Sequence, residues 1–249
     1  MLQKRVIPVL LLKDRGLYKG KCFNKHRYIG DPINTIKIFN DKEVDEIIIL
    51  DIGSNFKPDF EYLQKVTKEA FMPMCYGGGI NSFEDAQKLF YIGFEKIAIN
   101  TLLFKNLSII QKIIDTFGSQ SVVVSLDVKQ NFFGKYNVFS HNGRKKVSSD
   151  LNSIIELIKK IKVGEILLTS ISFEGKMEGY DLKLISQVKE NIPTPLIIHG
   201  GAGEMKHLEL AGDCGADAFA CGSMFVFQGI HNAVLITYES FYKRNKFEI

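Results

Sequence analysis

Short, nearly unbroken apolar runs recur along the chain, each followed by a turn rich in Gly, Asn or Asp and then by a longer stretch of helical period. The runs are 5–12 (RVIPVLLL), 46–52 (EIIILDI), 72–78 (MPMCYGG), 96–100 (KIAIN), 121–128 (SVVVSLDV), 165–171 (EILLTSI), 194–201 (TPLIIHGG) and 217–223 (DAFACGS). A strand that is apolar at every position is buried on both faces, which is the state of a parallel strand covered by helices. Between the runs lie helix starts. Asp31-Pro32 opens a segment ending near Lys42, because Pro is preorganised for the first helical turn and Asp can cap it. Ser82 caps the next, with Phe83, Ala86, Leu89 and Phe90 on one face. Asp150 precedes Leu151, Ile154, Ile155, Leu157 and Ile158, and Asp181 precedes Leu182, Leu184, Ile185 and Val188.

Strand then helix, eight times over, predicts an α/β protein built as one (β/α)8 (TIM) barrel rather than two doubly wound domains. An internal repeat supports this. Tyr76-Gly77-Gly78-Gly79-Ile80 recurs as His199-Gly200-Gly201-Ala202-Gly203, each followed by a Gly-(Phe/Ala)-(Glu/Asp) element, and 122–127 echoes 6–11. The offset is about half the chain. The expected organisation is a single barrel domain over 1–249, made of half-barrels of about 1–120 and 121–249.

Composition narrows the functional classes. The 249 residues are 45% hydrophobic and 24% charged, which excludes a disordered or collagen-like chain. The net charge of +4 is spread along the sequence, with only short basic clusters at 144–146 and 243–246. A nucleic-acid binder would carry a basic stripe with interleaved aromatics, so no nucleic-acid partner is expected and a small anionic ligand fits better. Cys22, Cys75, Cys214 and Cys221 form no CxxC pair and read as reduced thiols of a cytoplasmic protein. The run 6–12 is too short for a signal peptide and leads into Lys13-Asp14-Arg15-Gly16. No run approaches the roughly 20 residues that span a bilayer, so no membrane insertion is expected. Neither a metal nor a cofactor is expected.

In such barrels the reactive groups sit at the C-terminal ends of the strands. Gly78 and Gly79 place backbone N–H groups at a helix N-terminus, where phosphate binds, and Gly201 and Gly203 repeat the arrangement. Asn100-Thr101 and Gly222-Ser223 end the next strands at matched positions. The reading is two pseudo-symmetric phosphate sites and a ligand phosphorylated at both ends. Asp127 and Asp51 close strands, and Lys19 follows the first one. Asp127 is the candidate general acid or base, Lys19 can hold a phosphate or polarise an oxygen, and Asp51 reads equally well as a structural acceptor or a direct participant. At the opposite strand ends stand Arg5, Glu46, Lys96 and Glu165, two cations and two anions that can close a ring across the floor. That ring is either a plug or a gate for a small neutral molecule.

These residues resemble the HisF family, the cyclase subunit of imidazole glycerol phosphate synthase, over essentially the whole chain. The motifs are KRVIPVL at the start, Gly30-Asp31-Pro32, 45–52, 76–80, Phe117-Gly118-Ser119-Gln120 with 122–127, 164–171, Gly175 with Gly179-Tyr180-Asp181, and 200–203. The resemblance implies a barrel that receives ammonia from a HisH-like glutaminase docked on its N-terminal face, with Arg5, Glu46, Lys96 and Glu165 as the gate. It implies substrate-handling roles for Lys19 and Asp127, supporting roles for Asp51 and Thr169, and phosphate contacts at Gly78, Gly79, Asn100, Thr101, Gly175, Gly201, Gly203, Gly222 and Ser223. One departure stands out. The family places an acid/base pair of aspartates at the ends of strands 1 and 5, and the first position is Leu11. Ser172 and Glu174 also stand where the family usually has Asp. Segments 8–13, 70–80 and 223–238 resemble a HisF paralogue group associated with amidation of acetamido sugars in lipopolysaccharide and other surface glycans. A separate sugar amidotransferase completes that machinery. The resemblance thus points to such a paralogue, with a divergent cyclase of histidine biosynthesis and an inactive scaffold that activates the glutaminase as alternatives.

Overall fold

A computed structural model describes residues 4–53 and 57–240, so the basic cluster at 243–246 lies outside the described residues. The chain opens with β1 (Arg5–Lys13), then folds back in an antiparallel pair, β2 (Gly16–Lys21) and β3 (Asn24–Gly30). There follow α1 (Pro32–Asp41), β4 (Ile47–Asp51), α2 (Phe60–Thr67), β5 (Met74–Gly77), α3 (Phe83–Tyr91), β6 (Lys96–Ile99) and α4 (Leu107–Phe117). The second half repeats the plan. Strand β7 (Val122–Gln130) runs into the antiparallel pair β8 (Tyr136–Ser140) and β9 (Lys145–Ser148), and then come α5 (Leu151–Ile161), β10 (Glu165–Ser170), α6 (Leu182–Lys189), β11 (Leu196–His199), α7 (Met205–Asp213) and β12 (Ala218–Cys221).

Eight parallel pairings, β1–β4–β5–β6–β7–β10–β11–β12 and back to β1, close the barrel. All eight apolar runs are its strands. The helix starts also stand where the capping residues place them: Asp31, Ser82, Asp150 and Asp181 each accept a hydrogen bond from a backbone N–H of the first turn. Ser82 and Asp85 complete a reciprocal capping box.

Successive strand residues face opposite sides, and this splits the apolar residues into two cores. Ile7, Val9, Leu11, Ile48, Cys75, Ala98, Val123, Leu167, Ile197, Ala218 and Ala220 fill the barrel interior. Their neighbours pack outward against the helices. The expectation of eight helices is corrected: among the described residues seven α-helices cover the barrel, and none follows β12. The chain there makes a 3-10 turn over Ser223–Phe225 and a ribbon of β13 (Phe227–Gln228) and β14 (Ala233–Val234). Gly229 at φ 68 and the β-branched Val234, Ile236 and Thr237 disfavour a helix. The segment instead lies along the barrel wall, where the Tyr238 hydroxyl donates to the Val6 carbonyl and its ring packs on Phe225. No helix of the described residues is long and apolar enough to cross a membrane.

Each half-barrel thus carries an antiparallel hairpin after its first strand. The two hairpins meet over the C-terminal mouth, where a Cβ added to Gly143, in the β8–β9 turn, would lie 2.8 Å from the Phe23 ring.

Candidate active site

The C-terminal mouth holds a cavity of about 830 Å3 walled by both halves. Register places Asp127, Thr169 and His199 side by side on β7, β10 and β11. Asp127 is buried, and burial pushes its carboxyl up to about 7. Asn100 Nδ2 donates to Asp127 at 3.2 Å and to the carbonyls of Ser125 and Phe139, which fixes the amide orientation and leaves the buried Asn100 Oδ1 without a partner among the described residues. Thr169 Oγ1 lies 3.3 Å from His199 Nδ1. Burial and the nearby Lys19 cation push the His199 imidazole down to about 3, so it is neutral at physiological pH. Leu11, the repeat partner of Asp127, lines the same cavity and belongs to the apolar interior layer with Leu50 and Ile52. Leu11 therefore places an alkyl side chain at the position where the repeat has the Asp127 carboxylate.

Asp51 also lines the cavity. Its carboxylate accepts from the Gly53 N–H at 2.8 Å and the Tyr76 hydroxyl at 3.2 Å. Burial raises its pKa, and these two donors oppose the shift. Gly78, Gly79, Asn100 and Thr101 form the adjacent wall. Gly78 has φ +128, and a Cβ there would come within 2.5 Å of the Asp51 carbonyl, so only glycine lets the chain turn so close to β4. Lys105 and Arg144 reach the same cavity and make no ion pair among the described residues. Each lowers a neighbouring imidazole by charge repulsion, Lys105 that of His141 and Arg144 that of His26, although burial is the larger cause at both.

The second cradle differs from the first. Gly175, Gly201, Gly222 and Ser223 line a separate space of about 10 Å3, shared with Glu174 and His199. Backbone lies close to three glycines of this cradle, and the Lys19 side chain to a fourth, Gly222. An added Cβ would meet the Gly20 carbonyl at 2.2 Å from Gly175, that of Gly179 at 1.9 Å from Gly201, and that of Met177 at 2.3 Å from Gly203. The Gly203 N–H already donates to His207 Nδ1 at 3.2 Å. Lys19 lies behind this cradle, buried, with its ammonium on the Val9 carbonyl and against Gly222. Burial pushes its pKa down to about 8, opposed chiefly by Glu174. Lys19, expected in a loop after the first strand, lies on β2 and is not part of the large cavity's wall.

At the other end of the barrel all four predicted charges come together. The Arg5 guanidinium pairs with Glu46 and Glu165, and Lys96 Nζ completes the ring at 3.1 Å from Glu46 and 2.7 Å from Glu165. Charges of alternating sign each have two partners, which is the condition under which such desolvated groups stay ionised. Burial raises the Glu46 pKa, with Lys96 and Arg5 pulling it back.

His199, Lys105 and Arg144 are site residues that sequence reasoning missed. The signal for His199 was in the repeat, where it matches Tyr76. Lys105 and Arg144 sit in loops that no pattern marks as facing the mouth. Among the described residues no cluster of His, Cys, Asp and Glu forms a metal site.

Fold and site together define a two-fold repeated α/β barrel that gathers its ionisable groups at the C-terminal strand ends and closes its floor with a charge ring. The family described as "Histidine biosynthesis protein" matches residues 5–231, and the chain belongs to that family, among its HisF members. It is 47% identical over 242 residues, 96% of each chain, to the Pseudomonas aeruginosa protein named "Putative imidazole glycerol phosphate synthase subunit hisF2". Over 245 residues, 96% of this chain and 94% of the other, it is 41% identical to a Vibrio vulnificus protein with the same name ending in hisF3. Over 233 residues, 92% of each chain, it is 39% identical to "Imidazole glycerol phosphate synthase subunit HisF" of Thermotoga sp..

Proposed function

We propose that this chain is the ammonia-using subunit of a cytoplasmic glutamine amidotransferase complex and serves the amidation of an acetamido sugar of a surface glycan. A HisH-like glutaminase docks on the N-terminal face and releases ammonia at the ring of Arg5, Glu46, Lys96 and Glu165. Opening of one Lys96 contact admits the molecule to the apolar interior, where Cys75, Ala98, Ala218 and Ala220 are the smallest side chains. At the mouth Asp127, poised near neutrality, exchanges a proton with it. Thr169 and Asp51 flank the site, Lys19 holds positive charge behind His199, and the wall of Gly78, Gly79, Asn100 and Thr101 takes a phosphate. A separate sugar amidotransferase carries out the final transfer, with the acetamido group of the sugar as the acceptor.

The observation that carries this reading is Leu11 opposite Asp127. Ring closure to an imidazole needs two positioned acid/base groups, and an alkyl side chain supplies neither donor nor acceptor, at a cost of roughly 10²- to 10⁴-fold in rate. The names hisF2 and hisF3 of two relatives also suit an additional copy of a HisF gene. The test is transfer of 15N from amide-labelled glutamine into the acetamido sugar, with the glutaminase and sugar amidotransferase of the same genome. Incorporation that requires this chain supports the reading, and incorporation that proceeds equally without it refutes it. A second reading, a divergent cyclase of histidine biosynthesis, is favoured by the retained Asp127 and by the relative named as the synthase subunit. It predicts turnover of the cyclase substrate.

A further inference from the structure

Both hairpins over the mouth are strongly basic. No Asp or Glu lies between Asp14 and Asp31 or between Asp127 and Asp150. The first stretch exposes Lys21, Lys25 and Arg27, and the second exposes Lys129, Lys135, Arg144, Lys145 and Lys146. The cations thus crowd one end of a chain whose net charge is only +4. The hairpins differ at the turn that projects furthest from the barrel. In the first half that turn is tied down, with Arg15 paired to Asp59 at 2.7 Å and lying over the Tyr62 ring at 5.3 Å. In the second half it carries Phe132 and Phe133, 98% and 85% exposed.

The second turn is built to hold its rings out. Strand β7 continues past Asp127 to Gln130, about 10 Å further, still paired with β8. The Asn131 N–H donates to the Lys135 carbonyl at 2.8 Å, and the Asn131 side-chain oxygen accepts from the N–H groups of Phe133 at 2.9 Å and Lys135 at 3.0 Å. Behind the turn Tyr136 is buried, and its hydroxyl donates to Asp181 at 2.9 Å. The two phenyl rings meet edge to face with centroids 5.8 Å apart. Aromatic side chains on a fixed turn lose little freedom on binding, which suits them as anchors. Two further apolar side chains stand out on the same end, Tyr28 of β3 and Ile230 of the β13–β14 turn, and Arg27 ties those two elements together by donating to the Asn232 carbonyl at 3.3 Å. Apolar anchors surrounded by charge of one sign match a partner surface of the opposite sign.

We infer that the C-terminal end of the barrel is the docking face for an acidic protein surface with an apolar socket for the Phe132–Phe133 pair, and that this surface belongs to the sugar amidotransferase. The choice of partner rests on the proposed function, since ammonia leaving the mouth reaches an acceptor without loss to water only if the enzyme that uses it covers the mouth. A flat bilayer would touch the projecting turn and leave the mouth beneath it in water. The test is binding of the full-length chain, with its glutaminase, to the amidotransferase of the same genome, measured by surface plasmon resonance. Binding is expected, and the double variant Phe132→Ser, Phe133→Ser should weaken it about tenfold or more while its melting temperature and its activation of the glutaminase stay at parent values. Lys145→Glu with Lys146→Glu should slow association about tenfold at low salt and flatten its salt dependence. Phosphatidylglycerol vesicles should not retain the chain. Four results would each overturn the inference: no binding by the parent, parental affinity in the double Phe variant, unchanged association in the double Glu variant, or vesicle binding or self-association that the Phe substitutions abolish. If 15N transfer proceeds equally without this chain, the proposed function fails. If transfer requires the chain but the Phe pair makes no difference to binding, only this inference fails.

Discussion

Leu11 and Asp127 occupy repeat-equivalent positions on β1 and β7, and the pair sets what chemistry the mouth can perform. Leu11→Asp restores a carboxylate opposite Asp127. It should cost about 2 kcal/mol of stability through lost apolar burial, and it should raise ammonia-dependent cyclase activity roughly 10²-fold if the rest of the site is competent for ring closure. Product formation in a coupled absorbance assay measures it. Asp127 also carries a pH signature. Its carboxyl is held near 7 by burial, above the unfolded value of about 4. Between those values the folded state binds more protons than the unfolded state, so stability falls as pH rises through this window. Asp127→Asn should remove that slope and make the variant more stable than the parent at pH 8, as measured by urea unfolding across pH 4 to 8.

At the scale of elements, the ring at the N-terminal ends of β1, β4, β6 and β10 holds the floor together, and under the proposed function it is also where ammonia passes. Lys96→Ala leaves Glu46 and Glu165 with Arg5 alone, so thermal stability should drop by an amount corresponding to about 3 kcal/mol. Glutamine-dependent and ammonia-dependent rates of the complex should then diverge, and equal responses would sink the conduit. The hairpins over the mouth give a further test. Gly143→Val adds a β-branched side chain at φ +74 and against Phe23, so it should part the two turns and speed proteolytic nicking near Phe23, with the barrel otherwise intact. The barrel was legible in the sequence because eight strands buried on both faces must be apolar throughout, and because Asp31, Ser82, Asp150 and Asp181 announce their helices. The hairpins were not. Strand β3 (Asn24–Gly30) is polar and mostly exposed, so it has no apolar period to read. The missing last helix follows the same logic in reverse, since 226–238 is apolar enough to suggest one and too β-branched to form it.

Across the whole molecule, the two-fold repeat is kept in the backbone and abandoned in the chemistry. Tyr76 matches His199, and Leu11 matches Asp127. The sequence repeat shows where the equivalent positions are, but cavity size and hydrogen-bond occupancy come only from packing between distant loops such as Gly20 on Gly175 and Met177 on Gly203. That is why the positions of the two glycine cradles are legible in the sequence and the packing around each is not. The central claim is that a HisF barrel has been turned from ring closure to ammonia delivery. The most direct measurement is the steady-state rate of the purified chain with N'-phosphoribulosyl-formimino-aminoimidazole carboxamide ribonucleotide and saturating ammonium, run beside the Thermotoga HisF subunit. The account predicts a rate lower by roughly 10²-fold or more, and rates within a few-fold of each other would contradict it.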